Sequence, residues 1–233
     1  MPEIRYSRCV YLSHVIDERI PVWPGDPPIE LRTVATIAEH GYFLRRLSMG
    51  EHSGTHWNAP RTFFEEGPDA GAFPAESLIV PAVVIDARKE AARHANYQLS
   101  VADITAWEAA HGPIAAGSMV VLHTGWGECW HDPPHFLNAD ATGLHFPGFS
   151  TAATEFLLNE RGIRGVGIDT HGADGGQDQT FATNRAVLAR GGLVLENLAN
   201  LDQLPPTSAT LIIGILRLRE GSGSPAAVLA LVP

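Results

Sequence analysis

Two stretches with one plan constrain this chain most: "STAATEFLLNERGIRGVGIDT" from residue 150 and "NRAVLARGGLVLENLANL" from residue 184. Each passes from a helical pattern through a glycine stop into a compact apolar run suited to a buried strand. In the first, Ser150 is placed to cap a helix, Glu155 and Glu160 face water, and residues 156–158 face inward. The second predicts a helix to Arg190 and a strand from Leu193 to Glu196. "SVADITAWEAAHG" (100–112) adds a helix with Ser100 as its N-cap and Gly112 as its stop. Strand patterns are more numerous: around residues 9–13, "IELRTVATI" (29–37), the run before the histidines at 52 and 56, "LIVPAVVIDA" (78–87), "SMVVLHTGW" (118–126), and two closing strands around "EGSGSP". The reading is a mixed α/β fold in a single domain spanning residues 1–233.

Charge excludes some partners. The net charge is −10, with 16 basic against 26 acidic residues, and Lys89 is the one lysine. Without a basic run, neither nucleic acid nor an anionic membrane is expected as a partner. No apolar stretch approaches the ~20 residues of a membrane span, and no signal peptide is legible. Cys9 and Cys129 form no disulfide framework or metal knuckle, which fits a cytoplasmic protein.

"EHSGTHWNAPRTF" (51–63) carries the chemistry. His52, Gly54, His56 and Asn58 share parity, so a strand would point them to one face. At ~3.3 Å per residue, however, a strand holds the two imidazoles ~13 Å apart. Nitrogens sharing one zinc at ~2.1 Å each lie within ~4 Å of one another. A helix is opposed by Gly54 and Pro60. If both rings serve one site, the chain must bend at Gly54, where glycine permits it. The alternative is a turn carrying two hydrogen-bonding histidines.

"PVWPGDPP" (21–28), "HSGTHWNAP" (52–60), "VGIDT" (166–170), "GGLVLENL" (191–198) and "EGSGSP" (220–225), in this order, resemble the cyclase family that includes the bacterial kynurenine formamidases. The resemblance implies a β/β/α domain of the swivelling type, usually oligomeric, with a two-metal hydrolytic site. The family motif is H-x-G-T-H-x-D-A-P-x-H. This chain keeps His52 and His56, but Asn58 stands at the bridging aspartate and Thr62 at the acid/base histidine. Further on, Asn184 replaces a histidine ligand while its companion Glu196 remains. Trp23 matches the tryptophan that lines the formamidase pocket.

The resemblance therefore assigns His52, His56, Asn58 and Glu196 as the candidate metal ligands. With Glu196 the one anionic member, the expectation is at most one divalent metal, zinc or manganese, or none. Glu196 also serves as a candidate base. Thr62 cannot replace a histidine base and is left to contact substrate. "GIDTHGADGGQDQ" (167–179) offers His171 and Asp169, beside Asp174, as replacement acid/base groups, or else is a polar surface loop. Trp126, in an aromatic loop through residue 136, either lids an aryl pocket or packs on the core.

The expected activity is hydrolysis of an amide, lactam or lactone of a small cyclic or aromatic carbonyl compound, or the reverse ring closure. The expected form is a homo-oligomer, dimer or tetramer. Two rivals stay open: a metal-free cyclase, dehydratase or isomerase on the same scaffold, and a non-catalytic small-molecule binding protein.

Overall fold

The computed structural model describes residues 4–233. Its strands are β1 (Arg8–Tyr11), β2 (Glu30–Ala35), β3 (Leu44–Ser48), β4 (His56–Asn58), β5 (Ile79–Asp86), β6 (Met119–His123), β7 (Gly165–Ile168), β8 (Leu193–Glu196), β9 (Ala209–Ile215) and β10 (Gly223–Val232). The longer helices are α1 (Val101–His111), α2 (Thr151–Glu160) and α3 (Ala182–Leu188).

Strands β5, β6, β7 and β8 form a parallel core, and β4 and β9 run antiparallel on its two sides. The sheet closes because β10 pairs with β9 on one edge and divides its other edge. Residues 223–225 pair with β4 there, and residues 229–232 pair with β1. Seven strands thus make a barrel with β1 attached outside the ring. The exposed hairpin β2–β3 stands apart from it.

The parallel strands read as unbroken apolar runs because both of their faces are buried. Val80, Ala82 and Val84 of β5, Met119 and Val121 of β6, and Leu193 and Leu195 of β8 fill the barrel interior. Their alternates, Val83 and Ile85, Val120 and Leu122, and Val194, pack outward beneath the helices against Ile104, Leu157 and Val187. The same parity puts Trp57 of β4 inside the barrel and leaves His56 and Asn58 facing out.

The helix signals work as written. The Ser100 hydroxyl accepts from Asp103 N, and Asp103 returns the bond to Ser100 N, while Ser150 accepts from Ala153 N. Helix α3 ends at Leu188 rather than Arg190, because residues 189–192 turn back toward β8 through Gly191 at φ +64°. Among the described residues, no helix is long and apolar enough to cross a membrane.

Candidate functional site

Gly54 takes φ +66°, and the chain straightens into β4 only from His56. That bend returns the His52 ring to the His56 ring, with centroids 5.2 Å apart and planes nearly perpendicular. Close approach of β10 completes the corner. A Cβ on Gly223 would stand 2.6 Å from His52 Cε1 and 2.8 Å from Trp57 O, so the strand can pass there only as glycine.

In the antiparallel register Glu196 lies opposite His56, and both side chains are buried. Glu196 Oε1 accepts from Ala173 N at 2.7 Å and Asn184 Nδ2 at 2.9 Å. Its Oε2 accepts from Asn58 Nδ2 at 3.0 Å and lies 3.1 Å from His56 Nε2. Burial alone would raise this carboxyl, but the His56 bond and charge and the Asn184 and Ala173 donors outweigh it and hold it at about 2.

Two amides link the remaining groups. Asn184 Nδ2 also donates to Asp174 Oδ2 at 2.8 Å, and Asn184 Oδ1 accepts from Asn58 Nδ2 at 2.9 Å. Asn58 is therefore left with its Oδ1 toward His52 Nδ1 at 2.8 Å, which requires a hydrogen on that nitrogen. His52 Nε2 lies 2.9 Å from Ser222 Oγ, itself 2.7 Å from Glu51 Oε2. Burial, then the neighbouring His56, pushes the His52 imidazole down.

His52, His56, Asn58, Asp174, Asn184 and Glu196 line a cavity of about 220 Å³, whose apolar walls are Trp23, Phe63, Phe146 and Phe181. Trp23 meets Phe146 edge-on at 6.3 Å and His171 at 5.3 Å. Of the residues singled out in the sequence, His52, His56, Asn58, Glu196, Trp23, Thr62 and His171 all line this cavity. Thr62 Oγ1 is spent on Ser222 O at 2.5 Å. His171 bonds through Nδ1 to the Asn197 amide, and burial pushes its ring to about 4, so it is neutral near pH 7.

Two expectations are corrected. Asp169 faces away from the cavity: its carboxylate accepts from Thr124 N and Oγ1 and from Gly125 N, tying together the ends of β6 and β7. Asp174, five residues on, is the loop carboxylate at the cavity. It accepts from Thr183 N, Asn184 N and Asn184 Nδ2, and burial raises it to about 6 despite those bonds. Trp126 does not reach the cavity either. Its Nε1 donates to Phe136 O at 2.8 Å, and it packs against Ile20, Ile29, Trp130 and Phe136. Phe146 and Phe181 went unnoticed in the sequence because loops far from the histidine motif deliver them.

The divalent ion that the resemblance implies needs open lone pairs on its ligands. A carboxylate offers about four lone-pair positions, and on Glu196 three of them take N–H donors, from Asn58, Ala173 and Asn184, with His56 Nε2 3.1 Å from Oε2. Both nitrogens of His52 are engaged, and His56 Nδ1 donates to Gly54 O at 2.9 Å. Among the described residues, no three His, Cys, Asp or Glu side chains are grouped to hold a metal. This arrangement does not fit an ion.

The closed α/β barrel with its histidine–carboxylate cavity defines a cyclase-type fold. The chain belongs to the "Putative cyclase" family, whose model matches residues 10–175. It is 37% identical to an isatin hydrolase of Roseibium aggregatum over 89% of this chain and 82% of that protein. A kynurenine formamidase of Erythrobacter litoralis is 27% identical, over 90% and 87% of the two chains. Among solved structures, isatin hydrolase A from Labrenzia aggregata, bound to benzyl benzoate, superposes with a TM-score of 0.91 at 35% identity, covering 97% and 93%. A structure described as a potential metal-dependent hydrolase with cyclase activity matches at TM-score 0.72 and 25% identity, over 96% of each chain.

Proposed function

We propose that this chain is an enzyme that hydrolyses an amide, lactam or lactone of a small cyclic or aromatic carbonyl compound, or closes such a ring in reverse. The carrying observation is the cavity itself, aromatic walls facing a row of His52, His56 and Glu196, on a fold shared with isatin hydrolases. Its volume of about 220 Å³ is below the ~300–1,000 Å³ of sites for drug-sized ligands, which favours a one- or two-ring substrate.

Trp23 would stack on the ring. Asp174, near neutrality at about 6 and with three of some four lone-pair positions filled, is suited to pass a proton to or from the nitrogen or oxygen of the breaking bond. That role takes over the one first assigned to Asp169. His171, neutral, would serve as a hydrogen-bonding wall rather than a base, and Glu196 would orient His56 and the two amides.

The test is a panel of N-formylanilides, aryl-fused lactams and aryl lactones, followed by ultraviolet absorbance. Turnover of a member, reduced ~10²–10⁴-fold by Asp174→Asn, supports the reading. No turnover, with panel members still raising the melting temperature, would replace it with the binding-protein reading. The homo-oligomer expectation is supported by exposed apolar side chains on and beside the hairpin, Val34, Ile37, Phe43, Leu44 and Leu47. Light scattering on the purified chain measures it.

A further inference from the structure

We propose that the site operates without a divalent ion because the Asn58–Asn184 amide pair and the Ala173 N–H take up the coordination of Glu196. The inference rests on the site assignment above and concerns how its charge is balanced.

The amide orientations leave little freedom. Both hydrogens of Asn184 Nδ2 go to carboxylates, Asp174 and Glu196, and both hydrogens of Asn58 Nδ2 go to Asn184 Oδ1 and Glu196 Oε2. Turning Asn58 to offer its oxygen to a cation beside Glu196 would set that oxygen against Asn184 Oδ1 and Glu196 Oε2, three acceptors together. The Ala173 N–H on Oε1 belongs to the backbone and holds that oxygen regardless. A cation beside Glu196 would also meet the positive ends of two amide groups.

The residue at position 58 decides between two self-consistent states. An aspartate there would place a second carboxylate about 3 Å from Glu196, a repulsion that a divalent ion relieves. An asparagine replaces that repulsion with a hydrogen bond and removes the need for the ion. Asn184, where the family has a histidine, donates to the other oxygen of Glu196. The neutral residues act together, each completing its neighbour's hydrogen bonds, so that a single reversion leaves a group unpartnered.

The experiment uses untagged protein grown in metal-replete medium. Zinc and manganese content are measured by elemental analysis, and binding of each ion by titration calorimetry. Melting temperature is followed with and without EDTA. The expected result is well under one ion per chain, no calorimetric binding, and an unchanged melting temperature in EDTA. In Asn58→Asp/Asn184→His, manganese or zinc should bind and raise the melting temperature by about 5–10 °C at a hundredfold excess over the dissociation constant.

A wild-type chain carrying about one ion, removed by EDTA with a fall in melting temperature, overturns the proposal. So does a folded double variant that binds neither ion. Should the double variant fail to fold, the wild-type ion content alone decides. None of these readouts involves turnover, so a failure of the proposed reaction and a failure of this inference are told apart.

Discussion

His56 Nε2 lies 3.1 Å from Glu196 Oε2, opposite it in the β4–β8 register, with both side chains buried. Removing one partner of such a buried pair leaves the other uncompensated. Glu196→Gln, which keeps the shape and deletes the charge, should lower stability by about 3–5 kcal/mol in urea unfolding. A loss under about 1 kcal/mol would show that the pair contributes no more than a surface one.

Trp23 is in ring contact with Phe146 and His171 at the cavity wall. For any substrate found in the panel, Trp23→Ala should raise KM about tenfold, the loss of ~1.5 kcal/mol of aromatic contact, and change kcat less. Steady-state kinetics on both constants would check it. A fall in kcat alone would move Trp23 out of ground-state binding.

Acid sensitivity has a source outside the cavity. His14 stacks on Trp130 at 3.9 Å, and burial, with the nearby His131, pushes its ring from near 6.5 to about 4. The unfolded chain takes a proton there near pH 6.5 that the folded chain refuses until about pH 4. Stability from this group is complete above pH 6.5 and is lost as the pH falls toward 4, by about 1–3 kcal/mol. His14→Phe keeps the stack and should make the pH 7 to 4 decline in urea midpoint shallower. His171 and His52, shifted the same way, would add to the slope that remains, and Asp174, raised by burial, would oppose it.

The capping box at Ser100 should be worth about 1 kcal/mol, so Ser100→Ala should lower the melting temperature by roughly 2–4 °C. Asp103→Asn, which keeps the length of the side chain and removes its charge, should give a smaller drop by calorimetry.

Much of this architecture was legible because it is local. Ser100, Ser150 and Gly112 declare their caps within a few residues, and the apolar runs at 79–86 and 119–123 declare strands buried on both faces. The bend at Gly54 follows from the reach of two rings four residues apart. What was not legible depends on neighbours distant in the chain. Asp169 and Asp174 are equivalent as letters in one polar loop. One is captured by amides at the end of β6, the other by amides at the start of α3, and only strand order decides which. Trp126 was diverted by a single carbonyl, that of Phe136. The substitutions at 58 and 184 suggested a depleted metal site, but their mutual hydrogen bond appears only once α3 is laid beside β4.

The shared edge of β10 has a kinetic meaning. Residues 223–225 set the register of His56 and Asn58 from more than 160 positions away, and Gly223 seats the His52 ring. A nascent chain can assemble the parallel layer and its helices while it emerges, but this corner must wait until the closing strand has been synthesised. Pairings of such long sequence separation are slow to form. Recovery of the cavity on refolding should therefore lag behind recovery of helical signal.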